Sequence, residues 1–234
     1  MREHVAVNIL TQVCEDRDFS EWHQGCPWCT VWVVLTDTPL LQMTVQVTRN
    51  VLKDLLLPRY LRQPHITIAY RGLTSGNAVQ HPAAEFTAQQ LQADVATLQA
   101  CKPQPFFIHI QGASSFATVP YLAIQKDEGR HRLHQLQRSL SSTVDDQSEQ
   151  DYTPHITLGH YAQSVKMTTV QTMLHKTLAH QPAVELLVER LHLVRYDTRD
   201  IAGPLVTEGF FDLRNQCYQA QPTAILRMPG MRCG

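Results

Sequence analysis

The tetrapeptide Pro-His-Ile-Thr occurs twice in this chain, at 64–67 and again at 154–157. Each copy heads an apolar, β-branched run, PHITIAY at 64–70 and PHITLGH at 154–160. Runs of this kind read as strands. In a strand, residues i and i+2 share a face. His65 and Thr67 therefore point one way while Ile66 and Ile68 enter the core, and His155 and Thr157 do the same over Ile156 and Leu158. One His-x-Thr is explained well enough as an ordinary strand histidine with local hydrogen bonds. Two copies with the same leading proline and the same apolar flanks are not.

Brought together, the two strands would hold two imidazoles beside two hydroxyls. An imidazole titrates near neutral pH, so two of them on opposite sides of a phosphate serve as general base and general acid. The hydroxyls hold the nonbridging oxygens. No metal or other cofactor is required, because positioning and hydrogen bonding do most of the work in phosphoryl transfer.

With these motifs, the chain resembles the two-histidine phosphoesterase superfamily, which includes the LigT-like "2′-5′ RNA ligase" branch and related cyclic phosphodiesterases. The resemblance covers roughly 28–214. It takes in Gly112-Ala-Ser-Ser-Phe116 and the apolar run 119–124, similar to the family's glycine-x-phenylalanine hairpin between the motifs. It implies an α+β, duplicated two-lobed fold, with two antiparallel or mixed sheets facing across a cleft and helices on the outer faces. It implies His65, Thr67, His155 and Thr157 as the catalytic set. The implied activity is metal-independent cleavage of a nucleotide or RNA-end phosphodiester: a 2′,3′-cyclic phosphate, a 2′-5′ linkage or a cyclic oligonucleotide. His155 is expected as base and His65 as acid in hydrolysis, the roles exchanging with direction. A binding module without turnover, and 2′-5′ ligation in reverse, are the alternatives. Tyr70, Phe116, Tyr121, Tyr161 and Arg195 are the expected substrate contacts.

Net charge is −1, so a basic coat for long duplex nucleic acid is absent, and a nucleotide or RNA terminus is the expected partner. Arg59, Arg62 and Arg71 form a local basic cluster around the first motif. The run 5–13 is interrupted by Asn8, Thr11 and Gln12 and does not read as a secretory signal. No run approaches a membrane span. A cytoplasmic monomer is the expectation.

Cys26-Pro-Trp-Cys29, with His23 and Cys14 nearby, invites a redox or zinc reading. A thioredoxin-like motif would open a helix, whereas Thr30-Val-Trp-Val-Val-Leu35 reads as a strand, and there is no second CxxC. The cysteines read as incidental, with a structural zinc site as the rival.

The expected layout is an N-terminal extension at 1–28, the phosphoesterase domain at 29–215 and an irregular tail at 216–234. Within the domain, helices are expected at 40–57, 85–101, 129–144 and 164–180, and motif strands at 62–70 and 152–161. A hairpin at 106–125, one long strand at 185–196 and a closing strand at 206–213 complete it. The β-α-β order predicts a mixed sheet. His109 reads as a half-buried strand histidine rather than a third site histidine, and His131 and His134 make a poor metal signature. The loops 71–82, 113–118 and 197–204 are the expected borders of the site.

Overall fold

The computed structural model describes residues 9–76, 81–141, 152–179 and 181–228. In chain order these form α1 (Ser20–His23), β1 (Trp28–Leu35), α2 (Pro39–Val51), β2 (His65–Thr74), α3 (Ala88–Cys101), β3 (Phe106–Ser115) and β4 (Pro120–Ile124). Then come α4 (Glu128–Ser141), β5 (His155–Thr157), α5 (Met167–Leu178), β6 (Val184–Val188), β7 (Arg190–Asp197), β8 (Val206–Asp212) and β9 (Cys217–Ala220).

The strands make one sheet, in the order β6-β3-β4-β5-β2-β1-β7-β8-β9, rather than two. Among the described residues its pairings are antiparallel, so the sheet is not mixed. The reason lies in the first β-α-β unit. Leu35 at the end of β1 faces His65 at the start of β2, so α2 and the return segment after it are an excursion inside a wide hairpin, not a parallel crossover.

The strand expected at 185–196 is split at Glu189. β6 pairs with β3, whereas β7 pairs with β1 and β8. In a flat sheet β6 and β7 would lie six strand spacings apart, roughly 29 Å at about 4.8 Å each. Val188 and Arg190 are two residues apart, a reach of about 7 Å. The sheet is therefore strongly curled, its β6 edge brought round towards β7.

Ile66, Ile68, Ile108, Leu122 and Ile156 join Leu41, Leu91, Leu133, Val170 and Leu174 of the helices in one core. Thr38 caps α2, accepting from the Leu41 N–H at 3.3 Å, and Thr87 with Gln90 forms a capping box on α3. The N-terminus of α4 lies against β3: a Cβ at Gly129 would stand 2.1 Å from the Phe107 carbonyl oxygen. Gly129→Ala is accordingly expected to destabilise the fold by about 1–3 kcal/mol, because backbone displacement outweighs the gain in helix propensity of about 1 kcal/mol. Chemical denaturation measures this, and an unchanged or higher midpoint would contradict the packing.

Against the boundaries expected from the sequence, α2 stops at Val51 rather than at 57, and β2 runs on to Thr74, through the first part of the loop expected at 71–82. Two further differences shape the sheet. The second motif strand is three residues long, not ten. Pro154 has no N–H to give a ladder, and Gly159, at φ 155°, takes a backbone conformation that favours glycine. At the other end, β9 extends the sheet into the stretch that reads as an irregular tail. Gly209 makes this possible, since a Cβ there would meet the Tyr218 hydroxyl at 2.3 Å.

Candidate active site

β2 and β5 are neighbours at the centre of the sheet, with Ile66 opposite Ile156 in antiparallel register. Partners move in opposite directions along antiparallel strands. The register thus sets His65 beside Thr157 and Thr67 beside His155. Ile66 and Ile156 are fully buried, so the four polar residues share the opposite face. They form a patch two strands wide, on adjacent strands of one sheet rather than on two sheets facing each other.

Each imidazole is held in the same way. His65 Nδ1 lies 2.8 Å from the Gln63 carbonyl oxygen, and His155 Nδ1 lies 2.7 Å from that of Thr153. A carbonyl oxygen only accepts, so Nδ1 carries the proton in both rings and Nε2 offers its lone pair. The prolines are the local cause: Pro64 and Pro154 hold the residues before them extended.

The two rings differ in surroundings. His65 is buried and His155 is half-buried. Burial holds the His65 pKa down at about 4; the Gln63 bond opposes this, and the charges of Arg62 and His155 reinforce it. Burial also lowers the His155 pKa, offset in part by the Thr153 carbonyl.

Aromatic groups gather at His155. Phe116 stacks on Tyr121 with centroids 4.5 Å apart, and the two rings lie 5.0 and 5.2 Å from the imidazole. Because β2 runs on past the end of β5, an opening is left beside it. This pocket, of about 740 Å³, is lined by Thr67, Tyr70, Phe86, Phe116, Tyr152 and His155 among others. It is large enough for a nucleotide-sized ligand. Tyr70 is half exposed at its edge.

Two expected contacts lie elsewhere. Tyr161 is wholly buried, its hydroxyl 2.5 Å from Ser115 Oγ. It packs in the core because β5 ends before it. Arg195 forms an ion pair with the fully buried Glu208, and its guanidinium lies 4.7 Å over the Trp28 ring. The cause is a β-bulge: Leu193 faces Gly209 and Val194 faces Thr207, which leaves Glu208 as the extra residue.

Two neighbours of the site are not among the contacts expected from the sequence. Tyr152 donates to the Thr67 carbonyl oxygen at 2.8 Å, filling a place that a longer β5 would have taken. Arg62 lies with its guanidinium 3.9 Å over the Tyr196 ring. In the sequence Arg62 shows only as part of the basic cluster around the first motif, and Tyr152 only by its spacing, three residues before His155.

His109 is elsewhere, bonded through Nδ1 to Asp127 at 2.7 Å and through Nε2 to Glu185 at 3.2 Å. Cys26 and Cys29 are buried beside Leu73, Ala83, Ala84 and Tyr196, while His23 turns to Asp18 at 2.5 Å. Among the described residues no group of three or more His, Cys, Asp or Glu side chains is gathered as a metal site, so the zinc reading of the N-terminal segment finds no ligand set. No described helix is long and apolar enough to cross a membrane.

The family model of the 2′-5′ RNA ligase superfamily matches residues 39–200. Among solved structures, the chain is similar to TT0787 of Thermus thermophilus, at 15% identity and a TM-score of 0.53, over 80% of this chain and 98% of that one. E. coli LigT complexed with 3′-AMP is similar at 16% identity and a TM-score of 0.47, over 84% and 99%. No curated protein matches the chain.

Proposed function

Because the chain belongs to the 2′-5′ RNA ligase superfamily, we propose that it is a metal-independent phosphodiesterase acting on nucleotide or RNA-end phosphodiesters, with His65 and His155 as the proton-transfer pair. One observation carries this reading. The two motifs are related by the Ile66–Ile156 pairing, and both imidazoles are bonded through Nδ1 to the carbonyl two residues back. Both Nε2 atoms are left for chemistry on the same face.

The phosphate sits between the two Nε2 atoms. His65, the more buried ring and the one beside a cation, is unprotonated at the start and accepts a proton from the attacking water. His155, as imidazolium, returns a proton to the departing ribose oxygen. The order is the reverse of the one expected from the sequence, and it exchanges again if the reaction runs as 2′-5′ ligation. Thr67 and Thr157 donate to the nonbridging oxygens as their charge builds. The Phe116–Tyr121 pair offers an apolar face to a base beside His155.

The same reading takes the domain as a duplication. β2 and β5 stand at its centre, each with the strand that precedes it in the chain on its outer side, β1 and β4. The helices are arranged likewise, α2 packing on α5 and α3 on α4.

The test is 2′,3′-cyclic AMP followed by ³¹P NMR. The expected result is conversion to a single phosphomonoester, which the pairing of one acid with one base demands. An equal mixture of 2′- and 3′-monophosphates would contradict a fixed base and acid.

A further inference from the structure

The segment leading into β2 brings one more charged group to the first motif. Of the basic cluster there, Arg59 is bound to Asp200 at 2.7 Å and Arg71 to Asp94 at 2.8 Å. Arg62 has no carboxylate partner among the described residues. It is half-buried, and its Nε is buried with no hydrogen-bond partner among the described residues. Its place is not incidental, because both neighbours are pinned. The Leu61 N–H donates to the Ala202 carbonyl at 2.7 Å, and the Gln63 side chain exchanges two bonds with the Leu205 backbone at 2.8 and 3.1 Å. The Tyr196 ring, 3.9 Å below, sets the plane of the guanidinium.

We propose that Arg62 is a substrate-binding residue, its planar fork taking the nonbridging oxygens of the scissile phosphate from the His65 side. The proposal rests on the phosphodiesterase reading above. On the His65 side a phosphodiester meets a neutral imidazole and hydroxyls, and the positive charge of the His155 imidazolium is given up as its proton goes to the departing ribose oxygen. An arginine matches a phosphate in a bidentate way, and an ammonium does not. With aromatic rings beside His155 and a guanidinium beside His65, the cleft is polarised. The base goes to one end and the phosphate charge to the other.

The same placement bears on His65. The titratable groups facing Arg62 are Tyr60 and His65 on its own segment, His160 beyond β5, Tyr196 on β7 and Cys29 on β1. Its charge acts on His65 and His160 in the same direction as burial, which is the larger influence on both. Arg62 thus helps keep the proposed base unprotonated.

The experiment compares wild type, Arg62→Lys and Arg62→Gln. Inorganic phosphate is titrated while the His65 imidazole signals are followed by NMR, and turnover of 2′,3′-cyclic AMP is measured alongside. In Arg62→Gln, phosphate affinity and kcat/KM are expected to fall by about 10–100-fold, the range for a charged hydrogen bond. The His65 titration is expected to move to higher pH. Arg62→Lys keeps the charge without the fork, so it loses phosphate affinity but leaves the His65 titration in place. A merely structural arginine would not separate these two readouts. Phosphate affinity within twofold of wild type in Arg62→Gln, or no response of wild-type His65 to phosphate, would overturn the proposal. Should Arg62→Gln fail to fold, phosphate affinity in Arg62→Lys decides. Arg62-dependent phosphate binding without turnover would leave the clamp standing and remove the phosphodiesterase reading; turnover indifferent to Arg62 would do the opposite.

Discussion

Alanine at His65 or at His155 is expected to lower kcat/KM on a 2′,3′-cyclic nucleotide by about 10²–10⁴-fold, the range for loss of a positioned proton-transfer group. The double variant should fall little below the worse single one, because the two rings act as a unit. The pH profile separates their roles. The proposed base fails when it gains a proton, so the acid limb follows the His65 pKa near 4. The proposed acid fails when it loses its proton, and the His155 pKa is lowered by burial, so the basic limb lies below the ordinary imidazole value of about 6.5. The expected profile for kcat/KM is a narrow bell on the acid side of neutrality. His65→Ala removes its lower limb and His155→Ala its upper one. Near-normal turnover in either variant would contradict the assignment.

The second large effect concerns the fold that carries the site. Asp94 on α3 is buried, accepts from Trp32 Nε1 on β1 at 2.7 Å and forms an ion pair with the Arg71 guanidinium on β2, Nε lying 2.8 Å away. Arg71 Nη2 also donates to the Leu140 carbonyl oxygen near the end of α4, at 2.7 Å. Asp94 and Arg71 together tie two helices to the two strands that lead into the site, and the pair lines the pocket beside Thr67. Asp94→Ala leaves a buried guanidinium without its carboxylate and an indole N–H without its acceptor, at an expected cost of about 3–5 kcal/mol in unfolding free energy by denaturant titration. Replacing both partners with apolar residues, Asp94→Leu with Arg71→Met, is expected to recover much of that loss, since no uncompensated charge remains. A loss under about 1 kcal/mol in Asp94→Ala would show that the network contributes little.

Alternation along the motif strands was enough to read which side of each strand faces the core. Ile66, Ile68, Ile156 and Leu158 are all buried, and the polar partners share a face. Neighbour relations were not legible, because a period of two says which face a residue takes and nothing about which strand lies beside it. Hence the motif strands were expected across a cleft, although Ile66 and Ile156 pair directly. Local breaks were hidden for a related reason. No proline or glycine marks a break in the run 184–197, yet its two parts pair at distant places in the sheet. The bulge at Glu208 turned Arg195 from a candidate contact into a buried ion pair. Arg62 was legible only as part of a basic cluster, because its position depends on the Leu61 and Gln63 bonds to a segment more than a hundred residues away.

The most direct measurement is turnover of a panel of 2′,3′-cyclic nucleotides and 2′-5′-linked oligoadenylates in excess EDTA, by wild type and by the His65→Ala/His155→Ala double variant. Hydrolysis of at least one class, indifferent to EDTA and lost in the double variant, is the predicted result. No hydrolysis of any member by the wild type, or hydrolysis that survives in the double variant, would contradict the two-histidine account.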